Sequence, residues 1–152
     1  MAHTIERTDV ALGDIAAWIK MRKGEGARFV QLLAVNVEGG NDLVYTLRDG
    51  NVLREARVAC VGLDEHVPSI TGDYPAAFVF ENEIHDLFGV QVDGISIDFH
   101  GKFYRLALDK PMTIVSPEKQ AAREKARKMA EARAKAQQAA REKAAESEKG
   151  DE

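Results

Sequence analysis

Three strand-like runs joined by two glycine turns constrain this chain most. Phe29–Val37 is largely apolar, Leu43–Leu47 alternates around Tyr45, and Val52–Val61 alternates with Arg54 and Arg57 directed outward. The links Gly39-Gly40-Asn41 and Asp49-Gly50-Asn51 carry the residues that tight antiparallel connections need, because glycine and asparagine tolerate positive φ. A period of two interrupted this way predicts a meander. Ahead of it, Leu12–Met21 places Leu12, Ile15, Ala16 and Ile19 on one helical face, with Lys23-Gly24 as the stop. One helix is therefore expected across a face of the sheet.

Beyond the meander, Pro68 and Pro75 bracket a loop. A second helix is predicted from Pro75, acceptable at the first helical position, to Phe88, with Gly89 ending it. A last β region is expected over Val90–Leu108, with Gly94 and Gly101 as turns or bulges. The fold class is α+β: an antiparallel or mixed sheet with two packed helices, plus a long charged C-terminal helix.

That last helix follows from an abrupt change in composition. Ser116, Pro117 and Glu118 form a helix-start signal, and the sequence to about Ala145 is nearly all Ala, Glu, Lys, Arg and Gln. Met129 is its one large apolar residue, too little for a coiled-coil seam. The expected organisation is a body over 1–116 and a charged tail over 117–152, either solvated or docked on a partner. The body carries 11 Lys or Arg against 17 Asp or Glu, the tail 10 against 8. Neither has the basic excess of a nucleic-acid binder.

Cysteine usage narrows the chemistry. A lone Cys60 can neither ligate an iron–sulfur cluster nor close an internal disulfide, and its apolar neighbours predict a buried strand thiol. The first residues lack an apolar signal-peptide core, and no apolar run approaches the roughly 20 residues of a membrane span. Direct membrane insertion is not expected.

The second helix carries the informative residues. Ala76, Ala77, Val79, Phe80, Ile84, Leu87 and Phe88 form a broad apolar arc on a helical wheel. Glu83 falls inside it, Glu81 and Asp86 flank its edges, and His85 lies opposite. A buried carboxylate needs a partner or a proton. Arg54, Arg57, Arg105 or a neighbouring subunit could serve Glu83. Glu81 and His85 have metal-ligand spacing, but no second His or Cys group completes a shell. No nucleophile motif, glycine-rich phosphate loop or cofactor fingerprint supports catalysis. The carboxylates therefore read as structural, fixing a helix against a sheet or a partner.

These residues resemble a family. Val67-Pro68-Ser69-Ile70-Thr71, Tyr74-Pro75-Ala76-Ala77 and Glu81-Asn82-Glu83-Ile84-His85-Asp86-Leu87-Phe88-Gly89-Val90 resemble the signature of the complex I 30 kDa subunit, over about residues 10–108. Asn82 stands where that signature has the arginine of Glu-Arg-Glu. The family's His-Pro-Asp-Leu-Arg-Arg segment survives only as an echo in His100 and Arg105, after an insertion around Ile95–Phe99. The wording around Glu81–Val90 and the short length look most like the corresponding subunit of Ech-type NiFe hydrogenases.

The resemblance implies a non-catalytic subunit of the hydrophilic arm of a membrane-bound, ferredoxin-linked complex that couples electron transport to ion translocation. The implied partners are the NiFe large subunit and the iron–sulfur small subunit, with membrane subunits contacted indirectly. The chain would carry no cofactor itself, the iron–sulfur clusters and NiFe centre residing in those partners. It would lie peripherally at the cytoplasmic face of the membrane. Pro68, Pro75, Glu81, Glu83, His85, Asp86, Phe88, Gly89, His100 and Arg105 are then the family-motif and interface candidates. Two alternatives remain: the equivalent subunit of an NADH:quinone oxidoreductase or formate hydrogenlyase-type complex, and a free-standing protein-binding module.

Overall fold

The computed structural model describes residues 4–113, together with Lys125 and Met129. Apart from Lys125 and Met129, the charged helix expected over 117–145 lies outside the described residues. The elements run β1 (Thr4–Asp9), a 3-10 turn (Leu12–Asp14), α1 (Ile15–Gly24), β2 (Arg28–Val37), β3 (Gly40–Asp49) and β4 (Val52–Val61). They continue with β5 (His66–Pro68), a 3-10 turn (Pro75–Ala77), α2 (Phe78–Phe88) and β6 (Gln91–Asp93).

The meander forms as its turns predict, with Gly39 at φ 90° and Gly50 at φ 55° reversing the chain. β3 is longer at both ends than Leu43–Leu47, because ladder bonds extend into the polar residues beside each turn. The sheet order is β1-β4-β3-β2, antiparallel except for β1, which lies parallel to β4. The sheet is therefore mixed.

β1 is an exposed edge strand that hydrophobic patterning does not reveal. Charge holds it instead. Glu6 lies opposite Arg54, Arg7 opposite Glu55, and Asp9 opposite Arg57. Each register pair closes an ion pair, and exposed opposite-charge pairs contribute about 0.2–1 kcal/mol apiece. Arg54 and Arg57 are thus half-buried and engaged, not free outward-facing side chains. Arg57 also grips Asp42 at 2.7 Å.

The main core lies between the sheet and the helices. Leu43, Tyr45 and Leu47 of β3, Ala56 and Val58 of β4, and Leu32 of β2 meet Ile15 and Ile19 of α1, Ala77 of the second 3-10 turn and Ile84 of α2. Ala16 is exposed and Trp18 takes its place against the core. α1 runs through Gly24 and closes at Gly26, whose φ of 87° breaks the helix.

Cys60 is exposed, contrary to the buried thiol expected. Ala59 and Cys60 bulge out of β4 where the register with β3 shifts between Asn41 and Leu43. The backbone N–H of Cys60, at φ 52°, donates to Asp42 Oδ1 at 2.8 Å. The bulge turns the side chain off the strand alternation on which the expectation rests.

The region after α2 holds one short strand, β6, paired parallel to β5. Residues 94–113 form no strand and instead lie along α2 as an irregular strap. Gly94 and Gly101, at φ 80° and 74°, bend it as the sequence predicts.

Candidate subunit interface

The helical stretch expected from Pro75 opens as the 3-10 turn Pro75–Ala77, continues as α2 from Phe78, and stops at Gly89. Pro75 occupies the first turn. Gly89, at φ 75°, accepts the left-handed conformation while its N–H bonds to His85 O. The burial of the helix differs from the single broad arc expected. Two stripes are covered, one by the sheet and one by the strap.

The sheet-facing stripe is Ala77, Glu81, Ile84 and Phe88, at i, i+4, i+7 and i+11. Glu81 is therefore the carboxylate in the core, at 1% exposure. It accepts hydrogen bonds from Ser69 Oγ and from Ile70 N–H, both at 2.7 Å. Ser69 Oγ in turn meets Thr71 Oγ1 at 2.7 Å, and Thr71 Oγ1 accepts from Ser96 N–H at 3.0 Å. The Val-Pro-Ser-Ile-Thr loop and the first glutamate of the helix are thus one hydrogen-bonded unit. Burial raises the Glu81 carboxyl above its ordinary value, while the bonds from Ser69 and Ile70 pull it back. Burial, and then the charge of Glu81, push the Tyr45 hydroxyl far above its usual range.

The strap-facing stripe is Phe78, Asn82 and Asp86. Asn82 is fully buried. Its Nδ2 donates to Phe78 O at 2.7 Å and Ile97 O at 2.8 Å, and its Oδ1 accepts from Phe99 N–H at 2.9 Å. Asp86 Oδ2 accepts from Tyr104 N–H at 2.8 Å. Further along, Met112 N–H donates to Leu87 O and Thr113 Oγ1 to Phe88 O, satisfying carbonyls left open at the helix end.

Glu83 is the correction. It lies between the two covered stripes, half-buried, and accepts from the Tyr104 hydroxyl at 2.6 Å. None of the arginines proposed for it is its partner. Arg54 and Arg57 serve β1, Asp49 and Asp42, while Arg105 is exposed on the strap. The buried carboxylates are held by backbone N–H and hydroxyl donors.

The other candidates take smaller parts. His85 Nδ1 meets Val90 O at 2.9 Å. His100 is exposed and pairs with Asp98 at 3.1 Å, within its own turn. Pro68 ends β5 half-buried, and Phe88 packs half-buried against the core. Among the described residues, no three His, Cys, Asp or Glu side chains converge as a metal site would require.

Sequence reasoning missed the outer surface of the strap. Ile97, Phe99, Tyr104, Leu106, Leu108 and Met112 are large, apolar and exposed, Leu108 at 73%. Phe99, Phe103 and Tyr104 stack edge to face, with centroids 5.2 and 4.9 Å apart. The signal lies in the apolar residues of 95–108, which read as a strand in sequence. No helix among the described residues is long and apolar enough to cross a membrane.

Fold and site together define a small α+β module whose acidic helix organises a loop and a strap and presents apolar side chains outward. The chain belongs to the family of the respiratory-chain NADH dehydrogenase 30 kDa subunit, whose profile matches residues 5–114. It is similar to the NADH-quinone oxidoreductase subunit designated C from Acidothermus cellulolyticus, at 31% identity over 113 residues, covering 62% of this chain and 59% of that protein. The same subunit from Sinorhizobium medicae is 37% identical over 79 residues, 47% of this chain and 39% of the relative. The chain thus spans roughly two fifths to three fifths of these relatives. In fold it resembles a chain of the archaeal membrane-bound sulfane sulfur reductase, a respiratory membrane complex. The TM-score is 0.59 at 23% identity, over 71% of this chain and 67% of the other. It also resembles the trypsin-resistant fragment of Nqo5, with a TM-score of 0.54 at 20% identity, over 60% of this chain and 80% of that one.

Proposed function

We propose that this chain is a non-catalytic structural subunit of the hydrophilic arm of a membrane-bound, ferredoxin-linked NiFe hydrogenase. It would sit at the cytoplasmic face between the NiFe large subunit and the iron–sulfur small subunit. The observation that carries this reading is how α2 uses its polar groups. Glu81, Asn82 and Asp86 hold the 69–71 loop and the strap, and Glu83 holds Tyr104. The helix organises a surface, and the apolar side chains of the strap suit a protein partner better than water. The Glu-Asn-Glu-Ile-His-Asp-Leu-Phe-Gly-Val wording favours the hydrogenase branch.

Electrons would pass through clusters in the partners, and this subunit would keep those partners at fixed separation. The isolated chain should then be colourless, without stoichiometric iron, nickel or flavin. The test is affinity purification from detergent-solubilised membranes, with mass-spectrometric identification of the co-purified subunits. Recovery of a NiFe large subunit and ferredoxin-dependent hydrogen evolution supports the reading. A monomeric chain absent from membranes sinks it in favour of a free-standing module.

The similarity to the two NADH-quinone oxidoreductase subunits favours a second reading, the equivalent subunit of a quinone-reducing complex. Co-purified quinone-site subunits and NADH-dependent quinone reduction would select it.

A further inference from the structure

The register of β2 and β3 sets Arg28 directly opposite Arg48. Like charges facing each other across a sheet repel, so this pairing costs stability unless something neutralises it. Of the other described arginines all but the exposed Arg105 are matched: Arg7 meets Glu55, Arg22 meets Glu25, Arg54 meets Glu6, and Arg57 meets Asp42. Among the described residues no carboxylate forms an ion pair with Arg28 or Arg48. The nearest acids in sequence are engaged elsewhere, Glu25 with Arg22 at 2.7 Å and Asp49 with Arg54 at 3.5 Å.

The two arginines, Arg28 exposed and Arg48 half-buried, line an open surface depression of about 340 Å³ with Gly26 and Gly50. Both glycines have positive φ, 87° and 55°, and nothing stands within 4 Å of where a Cβ would project. The rest of the lining is the backbone of these glycines, and the depression opens to solvent. Arg48 Nε donates to Gly50 O at 2.8 Å, which orients its guanidinium while its terminal nitrogens stay unpaired among the described residues. The volume sits at the small end of ligand pockets, about 300–1,000 Å³. Two guanidinium forks suit a tetrahedral oxyanion, which offers more than one pair of oxygens.

We propose that Arg28 and Arg48 form a binding site for a phosphate group, carried by a small soluble molecule or by a lipid headgroup. The full chain and its Arg28→Gln/Arg48→Gln variant would be compared by calorimetric titration with inorganic pyrophosphate. Flotation with phosphatidic acid vesicles, against phosphatidylcholine vesicles, forms the second arm. Saturable pyrophosphate binding that weakens at least about tenfold in the double variant supports a soluble ligand. Arginine-dependent flotation with phosphatidic acid, without pyrophosphate binding, supports a headgroup. The variant also sheds the Arg–Arg repulsion, so in anion-free buffer it should melt no lower than the parent, and pyrophosphate should raise only the parent's melting point. Absence of binding in both arms, or binding unchanged in the double variant while Arg105→Gln behaves alike, overturns the site.

Discussion

Removing the Glu81 carboxylate should unfasten the Ser69–Thr71 loop from α2. Glu81 is 1% exposed and accepts two bonds of 2.7 Å, one from the buried backbone of Ile70. Glu81→Ala leaves the Ile70 N–H without an acceptor, costing about 1–3 kcal/mol, and opens a small cavity. Removing the desolvated charge offsets part of this, so the net loss should be about 2–4 kcal/mol. Glu81→Gln keeps an acceptor for Ile70 and should cost about 1 kcal/mol. The pH dependence follows from burial, which raises the carboxyl above 4.5. A raised acid binds its proton more tightly folded than unfolded. Its stabilisation is therefore full below the unfolded value and is lost as pH rises through the folded one. Glutamine has no such proton, so the advantage of the parent over Glu81→Gln should be largest below about pH 4.5 and shrink toward neutrality. Urea unfolding followed by circular dichroism across that range measures both quantities. An Ala variant with an unchanged midpoint, or a parent–Gln gap that widens with pH, refutes the reasoning.

Gly40→Ala should destabilise by about 1–3 kcal/mol or more in thermal unfolding, since its Cβ would lie 2.3 Å from the backbone oxygen of Val61. For Asp42, the Cys60 N–H and then Arg57 hold the carboxyl below its ordinary 3.8 against opposing desolvation. Its stabilisation is present above that value and lost as pH falls through the folded one, so acid unfolding below about pH 4 should be steeper in the parent than in Asp42→Asn. Glu83→Gln should cost less than about 1 kcal/mol, its partner being a half-exposed tyrosine. Because the bond to Glu83 leads the causes raising the Tyr104 hydroxyl, that variant should shift one tyrosine step downward in a spectrophotometric titration.

The meander and the ends of the helical stretch 75–88 are legible in the sequence because glycines at positive φ and a proline at the first turn are local requirements. Gly39, Gly50, Pro75 and Gly89 act through their own backbone. What is illegible depends on distant chain. β1 reads as a polar Thr-Ile-Glu-Arg-Thr-Asp stretch and becomes a strand where β4 offers the complementary charge at three of its six register positions. A helical wheel assumes one buried face, so it cannot separate Glu81 from Glu83. The second covered face of α2 is made by a strap with no periodicity of its own. Cys60 shows the same limit, since a bulge defeats alternation.

Two departures that the sequence resemblance suggests meet in one structural feature. Asn82 stands where the signature it resembles reads arginine, and the insertion expected from that resemblance near Ile95–Phe99 follows some fifteen residues later in sequence. Asn82 bonds to the carbonyl of Ile97 and the N–H of Phe99, so the side chain fastens this part of the strap to the helix. An arginine there would place a guanidinium at a fully buried position and remove the acceptor for Phe99. Such an uncompensated buried charge costs about 3–5 kcal/mol, unless the strap lifts away to let it reach water. Asn82→Arg should therefore lower the melting point and expose the bonds near Lys102 and Arg105 to trypsin. Asn82→Asp keeps the acceptor but loses both donors and turns a negative charge toward two carbonyl oxygens, so it should fall between Asn82→Arg and the parent. If Asn82→Arg matches the parent in both stability and trypsin resistance, the strap is not held by this residue and the coupling of the two departures fails.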